Sequence, residues 1–208
     1  MPRGELAALE RIRDLEHAAT VAGTRMVARI TLGRELGVEP AKVHIERTCA
    51  WCGDACHGKP RVPGDALSFS VSHAATFGVV ALSRDVCVGA DVELPSSRFD
   101  DLIANEALAA SEMAEYMTLS GIPRRTFLVD RWVAKEAVLK ALGVGLAIDP
   151  VSLAFGPPAP SGWKTAQFPS GALGEWHVAP TIDIEQFRIA IAADHEADVH
   201  IKGWAELA

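Results

Sequence analysis

Apolar residues recur at helical spacing through residues 5–36, at Leu6, Leu9 and Ile12, then at Val27, Ile30, Leu32 and Leu36. Gly37 stands where such a helix would stop. Gly23 falls inside the run and is expected to separate or bend two helices. The pattern then changes period. Residues 42–48 alternate, with Val43 and Ile45 on one face. Leu67, Phe69 and Val71 alternate with Ser68, Ser70 and Ser72, which predicts a half-buried strand. Residues 77–83 and 86–94 read as a hairpin turning at Arg84-Asp85. After Pro95-Ser96-Ser97 the helical period returns, over about 101–120 and 124–142, and Gly143 and Gly145 end the second helix. Beyond residue 150 the chain is strand-rich, at 151–155, 163–168, 175–179, 187–193 and 199–204. Residues 156–162, with three prolines, read as a surface loop. Helix, strands, helices, strands is an α+β order with a break near Pro95, giving an N-terminal half of 1–96 and a C-terminal half of 97–208.

Composition narrows the class. The 208 residues are 49% hydrophobic and 23% charged, ordinary values for a globular protein with a real core. The longest apolar stretches, such as 77–82, are far too short to span a bilayer, so no membrane partner is expected. The charged N-terminal segment lacks a secretory apolar core, which makes the cytoplasm the expected compartment. A net charge of −7 and a pI near 5.5 argue against nucleic acid, which wants a basic surface. A local basic patch for an acidic small ligand remains compatible.

The chemistry concentrates in two short stretches. Asp91-Val92-Glu93 closes the strand at 86–94, and side chains two apart on a strand point the same way, about 7 Å apart, so both carboxylates can face one hard cation. Gly89-Ala90 just upstream leaves room for close approach. In Trp132-x-x-Lys135-Glu136-Ala137-x-x-Lys140, Glu136 and Lys140 stand four apart on one helix face, with Trp132 one turn earlier. The plain alternative is a solvated ion pair. Lys135 lies about 100° around the helix from Glu136, at the rim of any site or in a structural role. Three carboxylates and a lysine suit a magnesium-assisted attack on a diphosphate.

Gly89-x-Asp91-x-Glu93, Trp132-x-x-Lys135-Glu136-Ala137-x-x-Lys140-x-x-Gly143, Ser70-x-Ser72-His73 and Gly58-Lys59-Pro60 together resemble the larger, surfactin-synthetase-activating type of 4'-phosphopantetheinyl transferase. The resemblance implies two similar helix-on-antiparallel-sheet halves related by a pseudo-twofold, with the active site in the cleft between them. It implies transfer of the phosphopantetheine arm of coenzyme A to a serine of an apo acyl or peptidyl carrier protein, with release of 3',5'-ADP, by a monomer. Carried over position by position, Asp91, Glu93 and Glu136 would hold Mg2+. Glu136 would also activate the carrier serine, and Lys140 would meet the pyrophosphate. His73, with Ser72 beside it, would be a coenzyme A phosphate ligand, Lys59 would lie near the 3'-phosphate, and Arg25 would be a further phosphate contact. This chain departs from relatives in the turns before the N-terminal helix. They usually carry more arginine or lysine there, and this chain has His17, Ala18, Ala19 and Thr20. It also enters directly on helical spacing, without the initial strand of many relatives.

Two rival readings use the same residues differently. A magnesium-dependent hydrolase of coenzyme A or a nucleotide diphosphate would use water as the nucleophile. A zinc-stabilised interaction protein would be built on Cys49, Cys52, Cys56 and His57, although four ligands crowded into nine residues fit a reduced turn better than a tetrahedral site. For an acidic carrier partner, Arg124, Arg125 and Arg131 on the Glu136 helix are the candidate docking charges.

Overall fold

A computed structural model describes residues 3–47, 53, 58–64, 67–96, 98–168, 171 and 173–207. Cys49, Cys52, Cys56 and His57, the residues of the zinc reading, lie outside the described residues. The chain begins with α1 (Arg3–Leu9) and α2 (Leu15–Leu36). The break between them is not at Gly23, which sits inside α2 with open space around it. It falls at residues 10–14, because Asp14 adopts an extended conformation and its side chain accepts the His17 N–H at 3.0 Å, the mark of a helix N-cap. Gly37, left-handed at φ 68°, ends α2. Arg29, buried on α2, fastens α1 by two bonds to the Glu5 carboxylate, at 2.8 and 3.0 Å, and donates to Val43 O at 2.8 Å. The predicted strand at 42–48 is reduced to β1 (Glu46–Arg47), which pairs with β2 (Pro60–Arg61).

β3 (Ser68–Ala74) and β4 (Phe77–Ser83) form an antiparallel hairpin around Ala75, whose φ is 49°. The helix α2 covers one face of it, with Leu32 packed among Val43, Val62, Leu67 and Phe69. β5 (Val88–Glu93) does not pair with β4, as its sequence position suggested. β4 is already bonded to β3, and the Ser83 hydroxyl takes the N–H groups of Asp85 and Val86 and turns the chain away. β5 instead joins a six-stranded sheet with β6 (Ala154–Pro158), β7 (Lys164–Gln167), β8 (Trp176–Val178), β9 (Ile182–Ile184) and β10 (Phe187–Ala193). Their order is β5-β10-β8-β7-β6, with β9 also on β10.

That leaves β5 at an edge, and three serines close it. Ser68, Ser70 and Ser72 of β3 accept the outward N–H groups of Val88, Ala90 and Val92 at 2.9, 3.0 and 3.4 Å. An edge strand's free donors would otherwise be buried without partners. The serines are therefore not the solvent face that alternation predicts. Ser70 and Ser72 are buried, and both faces of β3 are covered.

The predicted helix at 101–120 is two, α3 (Asp101–Ala107) and α4 (Ala110–Thr118), and α5 runs from Gly121 to Leu142. α5 lies across β5 and β10, and Leu128, Val129, Val133, Ala137 and Val138 pack on Leu153, Val178, Ala190 and Ala192 in the main core. Pro157 and Pro158, expected in a loop, lie in β6 at the end of the sheet order, where a missing donor is tolerated. Residues 199–203 form no strand, and the short α6 (Trp204–Leu207) follows. The architecture is α+β. Each half sets one 22-residue helix against antiparallel strands, although β5 precedes Pro95 and yet bonds to β10 of the second half.

The serine closure predicts a measurable cost. Ser70→Ala strands the buried Ala90 N–H, so equilibrium urea unfolding should show a loss of about 1–3 kcal/mol. A change within ~0.5 kcal/mol would mean that these bonds add nothing to the joint.

Candidate active site

β5 and α5 meet closely enough to share one site because Gly89 has no side chain. A Cβ there would lie 2.0 Å from Ala137 O and 2.5 Å from Ala141 N. Two residues on, Asp91 faces the inner side of α5, and Lys140, one turn after Glu136, reaches it. Lys140 Nζ stands 2.5 Å from Asp91 Oδ1 and 2.9 Å from Ser72 Oγ, and the Ser72 hydroxyl donates to the same Oδ1 at 2.7 Å. β3, β5 and α5 thus converge on one carboxylate oxygen. The other oxygen, Asp91 Oδ2, is buried and has no hydrogen-bond partner among the described residues. A desolvated carboxylate oxygen left this way is costly unless a ligand completes it.

Glu93 and Glu136 flank Asp91. Burial is the main reason that both carboxyls titrate above the usual range, and the Asp91 charge adds to it. Arg98 opposes the shift at Glu93 through a direct ion pair, and Lys140 opposes it at Glu136. Glu136 has no hydrogen-bond or ion-pair partner among the described residues, so its half-buried carboxylate is free to take a proton or a ligand. The oxygen-only donor set, with its orphaned Oδ2, fits a hard divalent cation. The carboxylates do not form a closed cage as they stand. Among the described residues no three acidic, His or Cys side chains are gathered round a single point, and Arg98 and Lys140 hold two of the three.

His73 follows Ser72 on β3 and points to the opposite side of the strand, toward α2. Its ring centroid lies 5.1 Å from that of His17. Burial lowers its pKa first, and the nearby charges of His17, Lys140 and Arg25 lower it further. Arg25 donates to Glu5 O at 3.3 Å while lying close enough to act on His73. The structure therefore brings together Asp91, Glu93, Glu136, Lys140, Ser72, His73 and Arg25.

Lys59 is not among them. It is 9% exposed, and its ammonium donates to Val88 O at 2.8 Å and Ala141 O at 2.9 Å, with Cys87 Sγ at 3.2 Å. Burial lowers its pKa. Expected at a phosphate, it instead ties the start of β5 to the end of α5. The docking arginines are corrected in the same way. Arg124 is 2.7 Å from Asp101 and stacks on Tyr116, and Arg131 pairs with Glu112 and Glu115, which leaves Arg125 exposed. Sequence reasoning missed Arg98 and His17. Neither belongs to a motif, and only tertiary contact shows them.

Comparison with known proteins identifies a family. A model of the 4'-phosphopantetheinyl transferase superfamily matches residues 87–192, a span that holds Asp91, Glu93, Glu136 and Lys140. The 4'-phosphopantetheinyl transferase HetI of Nostoc is 30% identical over 172 residues, 78% of this chain and 68% of HetI. The chain belongs to the 4'-phosphopantetheinyl transferase superfamily. A putative 4'-phosphopantetheinyl transferase of Synechocystis, slr0495, is also 30% identical, over 71% of this chain and 56% of its own length. A holo-(acyl-carrier-protein) synthase from Bacillus anthracis, solved with CoA (3',5'-ADP), aligns at 19% identity with a TM-score of 0.44, over 52% of this chain and 95% of that one.

Within this superfamily member, Lys135 is the motif residue farthest from chemistry. It is fully buried and 2.6 Å from Glu112 Oε2, and it donates to Ala107 O at 2.5 Å and Pro150 O at 3.1 Å. It pins α4 and the turn before β6 to α5, on the side of the helix away from Glu136. Lys135→Met leaves the buried Glu112 carboxylate with only Arg131, 3.6 Å away, as a counter-charge, and should cost about 3–5 kcal/mol in chemical denaturation. Adding Glu112→Leu should restore most of that loss. A single variant as stable as the wild type would show that the pair does not hold the helix.

Proposed function

We propose that the protein transfers the 4'-phosphopantetheine arm of coenzyme A to a serine hydroxyl of an apo acyl or peptidyl carrier protein, releasing 3',5'-ADP. The observation that carries this reading is the buried, unpartnered Asp91 Oδ2 beside the Lys140 ammonium, with Glu93 and Glu136 at its flanks. Superfamily membership supports the same reaction.

Each residue has a role that follows from its position. Glu136 lacks an internal partner among the described residues and burial raises its pKa, which suits it to act as a base. It takes the proton of the carrier serine, directly or through a water. The serine oxygen attacks the β-phosphorus of coenzyme A in line, and the bond from that phosphorus to the bridging oxygen of the pyrophosphate breaks. The electron pair stays on the departing 3',5'-ADP. Lys140 stands where that charge develops and donates to it, and His73, on the other face of β3, adds a contact to the phosphates of the nucleotide. Ser72 holds the Lys140 and Asp91 side chains in register, and Arg25 adds positive charge on the nucleotide side. Asp91, Glu93 and Glu136 would hold Mg2+, which when bound supplies neutralisation of the phosphoryl oxygens. For that to happen Arg98 must release Glu93.

The monomer expected from the resemblance goes with this reading. Among the described residues no helix is long and apolar enough to cross a membrane, and the cytoplasmic compartment expected from the sequence goes with this reading.

The test is intact-mass analysis of an apo carrier incubated with the protein, coenzyme A and Mg2+. The carrier should gain one phosphopantetheine, and Asp91→Ala, Glu93→Ala and Glu136→Ala should each slow the gain by roughly a hundredfold or more. Formation of 3',5'-ADP with no change in carrier mass would establish the hydrolase instead. Near-normal turnover in all three variants would remove the carboxylates from the mechanism.

A further inference from the structure

β4 (Phe77–Ser83) is bonded along one edge only. All seven of its residues pair with β3, and among the described residues its backbone makes no hydrogen bond on the other side. By contrast β10, the last strand of the second half, is bonded along both edges, to β5 on one and to β8 and β9 on the other. Edge strands in natural proteins are usually guarded by a charge, a proline or a bulge. β4 reads Phe-Gly-Val-Val-Ala-Leu-Ser, pairs in unbroken register and carries none of these guards.

The free edge opens on a groove of about 450 Å³ at the joint of the two halves. Phe77 and Val79 of β4 line one wall, and Ile182, Ile184, Ile189 and Ile191 of β9 and β10 line the other. The third boundary is the segment that follows β10. The Val86 N–H is held by the Ser83 hydroxyl, and Asp194 N–H donates to Cys87 O at 3.3 Å, so this segment starts close to where β4 ends. Ala197 packs there with Val86 and Trp163. Residues 197–202 then follow the rim of the groove and make no hydrogen bond among the described residues. Two rows of backbone groups without internal partners therefore border one apolar groove. The segment has the pattern to fill it. Ala197, Val199 and Ile201 alternate with Asp198, His200 and Lys202, the period of a strand with one apolar face. That face is not seated, since Val199 is 40% and Ile201 57% exposed.

We propose that the free edge of β4 is a strand-binding site, and that residues 196–202 of the same chain occupy it as a strand antiparallel to β4. Starting near Ser83, this segment runs back along β4 and has the same seven-residue length. Val199 and Ile201 then pack on the isoleucines of β9 and β10, and Asp198, His200 and Lys202 stay on the opposite face. The joint so made bears on the candidate site. β3 and β4 form the hairpin that carries Ser72 and His73, and β10 holds β5, which carries Asp91 and Glu93. A strand bonded to β4 and packed on β10 fastens that hairpin to the sheet along the edge that the serines of β3 do not reach. It also covers an uncharged edge on which a second copy could otherwise pair.

Amide hydrogen exchange on the full chain tests this without any substitution, and because it reads no transfer its outcome is independent of the transferase reading. The β4 amides that point away from β3 and the amides within 196–202 should be protected together, by roughly tenfold or more over the rate of an unstructured chain. Two variants then separate the strand from the rest of the fold. Val199→Pro with His200→Pro removes a ladder donor whichever of the two faces β4. Val199→Asp with Ile201→Asp charges the apolar face. Each should return both sets of amides to fast exchange, while the amides bonded between β3 and β4 stay slow and show that the variant is folded. Asp198→Ala, on the polar face, should change neither set. Wild-type amides in 196–202 that exchange at the unstructured rate overturn the proposal, and so does protection that survives both double variants. Protection that fades on dilution, with a dimer seen in sedimentation, assigns the edge to a second copy and overturns it as well.

Discussion

The structure depends on the approach of β5 to α5. Gly89 lets a strand lie against a helix backbone at a distance no side chain would permit, and the consequences run outward from there. Lys140 reaches Asp91, Glu136 comes alongside it, and Lys59 reaches Val88 and Ala141 to bind the same two elements from behind. Without that contact the carboxylates of β5 and the glutamate of α5 would belong to two unconnected surfaces. A buried ion pair of this kind is a poor source of net stability, because desolvation offsets much of the attraction. Its use is to set geometry.

The serine closure gives the site its third wall. An edge strand with buried donors needs partners, and β3 supplies hydroxyls instead of a backbone ladder. Hydroxyls make shorter-range, more specific joints than a continuous sheet would. They also leave Ser72 free to serve two ends, accepting from Val92 and Lys140 while donating to Asp91. The last member of a structural series thereby becomes part of the polar cluster. On its far side, His73 meets His17 of α2.

Charge is balanced in place throughout this region. Arg98 holds Glu93, Lys140 holds Asp91, and Glu136 has no such partner among the described residues. The asymmetry assigns roles. The paired carboxylates need little reorganisation to exchange a cationic side chain for a cationic ligand, whereas the unpaired, half-buried glutamate is the one whose proton affinity is raised without a direct counter-ion. Lys135 shows the contrasting use of the same residue type. Three acceptors surround it, and nothing is left over for chemistry.

Local pattern determined much of this in advance. The period of apolar residues marks α2, β3, β4, β5, α5 and β10, and the acidic and basic motif residues point to a metal-assisted diphosphate chemistry. Superfamily membership was legible from residues such as Asp91, Glu93, Glu136 and Lys140, since each lies on an element whose face is set by spacing alone. Partner choice was not. β5 was expected beside β4, the serines of β3 toward water, and Lys59, Arg124 and Arg131 toward ligands. Each expectation failed for one reason. A sequence shows which groups need burial or a hydrogen bond, but several distant groups can satisfy the same need, and only packing selects among them. The same reasoning explains why His17 and Arg98 had no signal. An imidazole in the first turn of a helix and an arginine after two serines are unremarkable until His73 and Glu93 are brought beside them.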